Sequence, residues 1–179
     1  MKLKKLIVPM GTLLLTALLL FCVSNGLKPV AQNKKEKDKM QTMALLLPGS
    51  ETFTKETYEG EDTNISAVFK AETGYVIETT VAGYVDNIKM LVGVNTEGSV
   101  TGAVVYDMAE TYGLGRRAMT DTTFLSQFLG TRADAEVGSN IDALSGATVT
   151  SKAVAKAVNS AAAFVTGADV SSGATVWGG

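Results

Sequence analysis

The residues best suited by type and spacing to do chemistry lie in Asp142-Ala143-Leu144-Ser145-Gly146-Ala147-Thr148-Val149-Thr150-Ser151. Ser145, Thr148, Thr150 and Ser151 offer hydroxyls, Asp142 offers a carboxylate, and Gly146 and Ala147 leave room around them. Behind this stretch Val154, Val158, Ala161 and Val165 fall at i, i+4, i+7 and i+11, one apolar stripe at the helical period. Lys152, Lys156 and Asn159 lie on the other face of that pattern. The spacing predicts a helix running to Val165, opened by the hydroxyl-rich turn, in which any of the four hydroxyl residues could be the N-cap. A helix N-terminus presents amide N–H groups without intrahelical partners and a partial positive charge, so it suits a phosphate. Lys152, in the first turn, would add a point charge to such a site. The residues alone leave two readings open: a plain helix cap, or an anion site.

Asp142-x-x-Ser145-Gly146-Ala147-Thr148 resembles the flavinylation motif of the FMN-binding domains found in the G subunit of the Rnf complex and in the C subunit of the sodium-pumping NADH:quinone reductase. The resemblance implies that a flavin transferase takes FMN from FAD and esterifies its phosphate to the hydroxyl of Thr148. That chemistry asks for a hydroxyl nucleophile with small neighbours, which Gly146 and Ala147 supply. A cofactor fixed through its phosphate keeps its ring free for redox work. Glu110-Thr111-Tyr112-Gly113-Leu114-Gly115 is similar to the family's Glu-Thr-Pro-Gly-Leu-Gly loop, with Tyr112 where the family usually has Pro. Gly83-Tyr84-x-x-x-Ile88-Lys89-x-Leu91-Val92-Gly93-Val94 resembles the strand that precedes that loop, so the likeness runs from about Ala44 to Val165. Carried over, Thr148 bears the covalent FMN; with Ser145, Gly146, Ala147 and Asp142 of the motif and Thr150 and Lys152 of the helix start, it makes up the expected FMN-binding residues. Glu110, Thr111, Gly113 and Leu114 join them as the loop that would shape the ring pocket. The shortness of the chain favours the Rnf G subunit over its longer quinone-reductase counterpart.

Composition bounds the alternatives. The chain has 179 residues, 46% hydrophobic and 19% charged, with one Cys and no His. A lone Cys22, inside an apolar run, forbids an internal disulfide, and no Cys/His metal site or His-based triad can be built. No catalytic set and no metal ligands are expected. Residues 1–39 hold 8 Lys against Glu36 and Asp38, a net +6, while residues 40–179 hold 8 Lys+Arg and 16 Asp+Glu, a net −8. The acidic body argues against nucleic acid, and the basic start argues for a membrane surface. No Gly-x-Gly-x-x-Gly follows a strand, so no dinucleotide site is expected.

The elements that must position these residues are read in order. Leu6–Val23 is an uncharged run of 18 residues, within the roughly 17–25 that span a bilayer as a helix. A cleaved signal peptide is the rival reading, but Val23-Ser24-Asn25-Gly26 is a poor cleavage site. Residues 1–26 are therefore expected to be a membrane anchor and 27–49 a tether helix. In the tether Met40, Met43, Ala44 and Leu47 repeat at helical spacing. Residues 50–167 form the expected FMN-binding domain. Its predicted strands are Asn64–Lys70 and Tyr75–Val81 about one hairpin, then Ile88–Asn95 and Ser99–Asp107 about another. A short helix over Thr122–Leu129 is predicted to point Phe124, Leu125 and Phe128 inward. Strands followed by helices predict an α+β fold, an antiparallel sheet with helices packed on one face, preceded by one transmembrane helix. Asp169–Thr175 repeats the Asp-x-x-Ser-Gly-Ala-Thr pattern with no room for a helix behind it. Residues 168–179 are accordingly expected to be a flexible tail and not a second flavin site.

These readings converge on a membrane-anchored electron-transfer subunit that works through FMN. By resemblance it belongs to a complex coupling ferredoxin oxidation and NAD reduction to ion pumping. Its expected partners are the other membrane subunits and a flavin transferase. Its expected place is the inner membrane, single-pass, with the domain on the outer face; Lys residues flank both ends of the anchor, so charge does not choose the side. Two alternatives stand beside it: a stand-alone extracytoplasmic FMN protein, and an anchored structural domain in which Ser-Gly-Ala-Thr only caps a helix.

Overall fold

The computed structural model describes residues 10, 13, 15–21 and 35–168, and the chain divides into two compact units, Met1–Gln41 and Thr42–Gly179. In the first, every described residue lies in helix. Half of the apolar run expected as the anchor, Leu6–Val23, lies outside the described residues, as do Asp169–Gly179 with the repeated motif. Among the described residues no helix is long and apolar enough to cross a membrane.

The second unit is built on an antiparallel sheet of five strands in sequence order: β1 (Thr54–Glu56), β2 (Ile65–Ala71), β3 (Gly74–Ala82), β4 (Asn87–Asn95) and β5 (Val100–Asp107). Both predicted hairpins form, β2 turning into β3 through Glu72-Thr73 and β4 into β5 through residues 96–99. The strand β4 decides the layering. Met90-Leu91-Val92-Gly93-Val94 has no polar alternation, and all five residues are buried. A strand of that kind needs cover on both faces.

One face carries Ile77, Val81, Ile88, Met90, Val92 and Val94 in the main core. The long helix Thr148–Thr166 and the short one Thr122–Ser126 pack there. The opposite face carries Val76 and Leu91, and Met43, Leu46 and Leu47 cover them. The α+β architecture is as expected, but the expectation of helices on one face is corrected. Residues 35–46 are helical (α1), and the end of this helix packs on the second face. Gly93 permits the approach: a Cβ there would lie 2.3 Å from the Leu46 carbonyl oxygen, which Thr101 Oγ1 also binds at 2.6 Å. The stripe read in this segment shifts accordingly. Met43 and Leu47 are buried, but Leu46 takes the place expected for Ala44, and Met40 is exposed.

Two further expectations are corrected. The helix α2 (Thr122–Ser126) ends short of Leu129. Phe124 and Phe128 stack edge-to-face in the core and Leu125 is half-buried, as the pattern required. The chain then turns at Gly130, whose N–H donates to the Val100 carbonyl while Val100 N donates to the Thr131 carbonyl, tying the turn to the start of β5. Asp121 caps α2; the bond from Phe124 N, at 3.1 Å, and the Arg117 guanidinium hold its carboxyl below the usual range. In α3 (Thr148–Thr166), Val154, Val158 and Ala161 are fully buried as predicted, with Val165 half-buried. Asn159, expected on the polar face, is buried as well. It pairs with both backbone groups of Ala135, each bond 2.9 Å, because the irregular chain there has no ladder to satisfy it.

Candidate functional site

The start of α3 differs from the expected hydroxyl cap. Ala147 occupies the cap position, and no side chain caps the helix. Ser151 Oγ instead accepts from Leu144 N at 3.0 Å and donates to the Ala147 carbonyl at 2.9 Å, strapping the turn from inside. Thr150, 1% exposed, donates to Glu110 Oε2 at 2.7 Å. Ser145, Gly146 and Thr148 are exposed, with Gly146 at φ +73°. The Thr148 hydroxyl has no hydrogen-bond partner among the described residues, and neither has the exposed Lys152 ammonium. The first turn thus has no side-chain cap, and it carries a free hydroxyl and a cation. That arrangement fits a phosphate.

Glu110 brings the motifs together. Its carboxylate is 4% exposed, with Oε1 accepting from Val85 N at 2.9 Å and Oε2 from Thr150. A Cβ at Gly83 would stand 2.4 Å from Oε1, and one at Gly115 would stand 2.8 Å from Oε2 and 2.5 Å from Thr150 Oγ1. Only glycine lets the three segments close on the carboxylate. From Glu110 the chain runs out through Thr111, Tyr112, Gly113 and Leu114, all exposed, and the Thr111 carbonyl receives Leu114 N and Arg116 N to turn it. Leu114 Cδ2 reaches within 3.1 Å of where a Gly146 Cβ would be, so the loop meets the motif directly. A 3-10 turn, Gly115–Met119, follows and packs on α3.

Asp142 has an exposed side chain and a fastened backbone. Its N–H donates to Gln127 Oε1 at 2.7 Å, and its carbonyl accepts from Gln127 Nε2 at 3.3 Å. Asn140 ties the preceding turn by bonds to Glu136 N and the Asp134 carbonyl. Gln127, Asn140 and Asn159 are the site-forming residues that sequence reasoning missed. Their partners are backbone groups of irregular chain, which carry no residue-type signal. Gly83 lay within the matched stretch, but nothing in the sequence tied it to Glu110.

An α+β domain with an uncapped helix N-terminus, an exposed threonine there and a glycine-lined loop against it has the parts that an anion-binding module uses. Residues 83–163 match the FMN-binding domain family. The chain is 34% identical over 145 residues to the G subunit of the proton-translocating ferredoxin:NAD(+) oxidoreductase complex of Clostridium ljungdahlii, covering 77% of each chain. It is 36% identical over 97 residues to the G subunit of the Na(+)-translocating complex of Acetobacterium woodii, covering 48% of this chain and 46% of that one. The C subunit of the Na(+)-translocating NADH-quinone reductase of Parabacteroides distasonis shares the fold, with TM-score 0.57 at 17% identity over 78% of this chain and 96% of that one. The chain belongs to the FMN-binding domain family, alongside the G subunits of ion-translocating ferredoxin:NAD oxidoreductase complexes.

Proposed function

We propose that this chain is the flavoprotein subunit of an Rnf-type ion-translocating ferredoxin:NAD oxidoreductase complex. In this reading it carries FMN through a phosphoester on Thr148, is held in the membrane by Leu6–Val23 and works beside integral subunits. The observation that carries the attachment is the Thr148 hydroxyl, exposed and without a partner at the uncapped start of α3. Thr150, the other candidate hydroxyl in that turn, is buried and donated to Glu110. Attachment joins the Thr148 oxygen to the flavin phosphate; the FAD pyrophosphate breaks, AMP leaves, and the hydroxyl proton is lost. The first-turn N–H groups and Lys152 offset the phosphate charge. Leu114 borders the site on the side facing Gly146, with Thr111 and Gly113 in the same exposed loop. Bound there, the flavin supplies the redox chemistry.

The test is to produce the full chain with a flavin transferase. Fluorescence should persist on a denaturing gel, and one FMN mass should map to the peptide containing Thr148. Thr148→Val should remove it and leave the fold intact. An adduct on Thr150 or Thr175 with none on Thr148 would overturn the assignment. Membrane subunits of an ion-translocating complex should co-purify with the tagged chain; isolation as a monomer from gently solubilised native membranes would favour a stand-alone electron carrier.

A further inference from the structure

We propose that Glu110 is a positioning residue for flavin attachment, acting through Thr150 to hold the rotation of α3's first turn so that Thr148 faces out. The inference rests on Thr148 as the acceptor. An α-helix advances about 100° per residue, so two residues apart in one turn point some 200° apart. Thr150 points inward, 1% exposed, and Thr148 points outward. Fixing one therefore fixes the other. The bond that fixes Thr150 is buried, 2.7 Å long, and spans 40 residues of sequence. The carboxylate is itself held from a third segment by Val85 N, and glycines at 83 and 115 let the backbone close on it.

A simpler way to pack this spot exists. Burying a carboxylate is costly unless its bonds are all made, and an apolar pair of the same volume would fill the space without that cost. Both Glu110 oxygens are bonded, yet no cation pairs with them among the described residues. Hydrogen bonds give directionality that apolar contact lacks. The gain from the carboxylate is therefore the orientation of what it holds: the loop at Val85 on one side and the first turn of α3 on the other.

The experiment uses the full chain, a flavin transferase and FAD, and follows covalent flavin with time. Glu110→Ala and Thr150→Val should each lower kcat for transfer by about tenfold or more, as small misplacements of reacting atoms do. A purely structural loss would lower the folded fraction and raise the apparent KM, leaving kcat alone. The double variant should be no slower than the slower single, because both break one interaction. Thr150→Ser keeps the donor hydroxyl, and Glu110→Gln keeps an oxygen for Val85 N while its amide N–H donates to the Thr150 hydroxyl in reverse, so both should stay within about threefold of the parent rate. In the flavin-free chain, amide exchange in residues 83–86 and 148–151 should speed up in the Ala and Val variants and not in the conservative pair. Rates that multiply in the double variant, a Glu110→Gln rate as low as Glu110→Ala, or unchanged exchange would overturn the proposal. If the parent chain takes flavin elsewhere than Thr148, the attachment reading fails first, and the exchange data still judge the clamp by itself.

Discussion

Asp142 and Thr148, like Ser145 and Lys152, have side chains that are exposed and bonded to nothing among the described residues. Ser151, Thr150 and Glu110 are buried and fully engaged, so they have structural work to do whatever else they do. Because Gln127 grips Asp142 by its backbone alone, the carboxylate is dispensable to the fold. Asp142→Asn should leave circular dichroism unchanged and shift stability by less than about 0.5 kcal/mol, as surface changes do. It should nevertheless cut covalent flavin yield sharply, because the acidic position is then read by the transferase and not by this chain. Normal flavin loading in the Asn variant would reduce Asp142 to a charge near a helix N-terminus. The exposed pair was legible in the sequence, since hydroxyl, acid and small residues at fixed spacing are visible as types. The engaged set was not: nothing in the sequence joins Glu110 to Thr150 or to Val85, and the glycines that admit it read as ordinary turns.

At the scale of elements, the hairpins were legible because alternation and turn residues sit next to each other in sequence. The cover that the end of α1 gives the second sheet face was not, because burial of Leu46 against Gly93 is set by a contact 47 positions away. The unalternating run in β4 was the one available clue, and it says only that both faces are covered. The irregular chain from Thr131 to Ala147 was the least legible part. It has no ladder, yet it delivers the motif to α3, and side-chain amides hold it in place of secondary structure. Asn159→Leu should test that. Both backbone groups of Ala135 would lose their partner while buried, which costs about 1–3 kcal/mol for each group left unsatisfied. Denaturant unfolding should show a loss in that range or above. A variant as stable as the parent would mean the segment finds other partners, and that Asn159 is not what fixes the approach to the motif.

For the whole molecule, the unequal charge of its two parts bears on where it works. Residues 1–39 carry +6 and the remainder −8, and the one long uncharged run, Leu6–Val23, sits inside the basic part. That run is the length a spanning helix needs, whereas the exposed positions of β1 and β2 are Thr54, Lys55, Ser66 and Lys70, polar residues that suit water. A Lys-rich segment at residues 34–39 would lie against anionic headgroups and keep the domain close to integral partners. The hypothesis is that the domain stands on the outer face, with Thr148 within reach of membrane subunits there. Charge does not decide the side, since Lys2, Lys4 and Lys5 flank one end of the run and Lys28, Lys34 and Lys35 the other. A tag after Gly179 in spheroplasts decides it. External protease should strip the tag while cytoplasmic markers survive, and alkaline extraction should leave the protein with the membrane. A tag protected until lysis would put the domain inside and remove the outer-face placement. Release by alkali would remove the anchor. Neither result would touch the assignment of the flavin to Thr148, because that rests on the first turn of α3 and not on the segment that precedes the sheet.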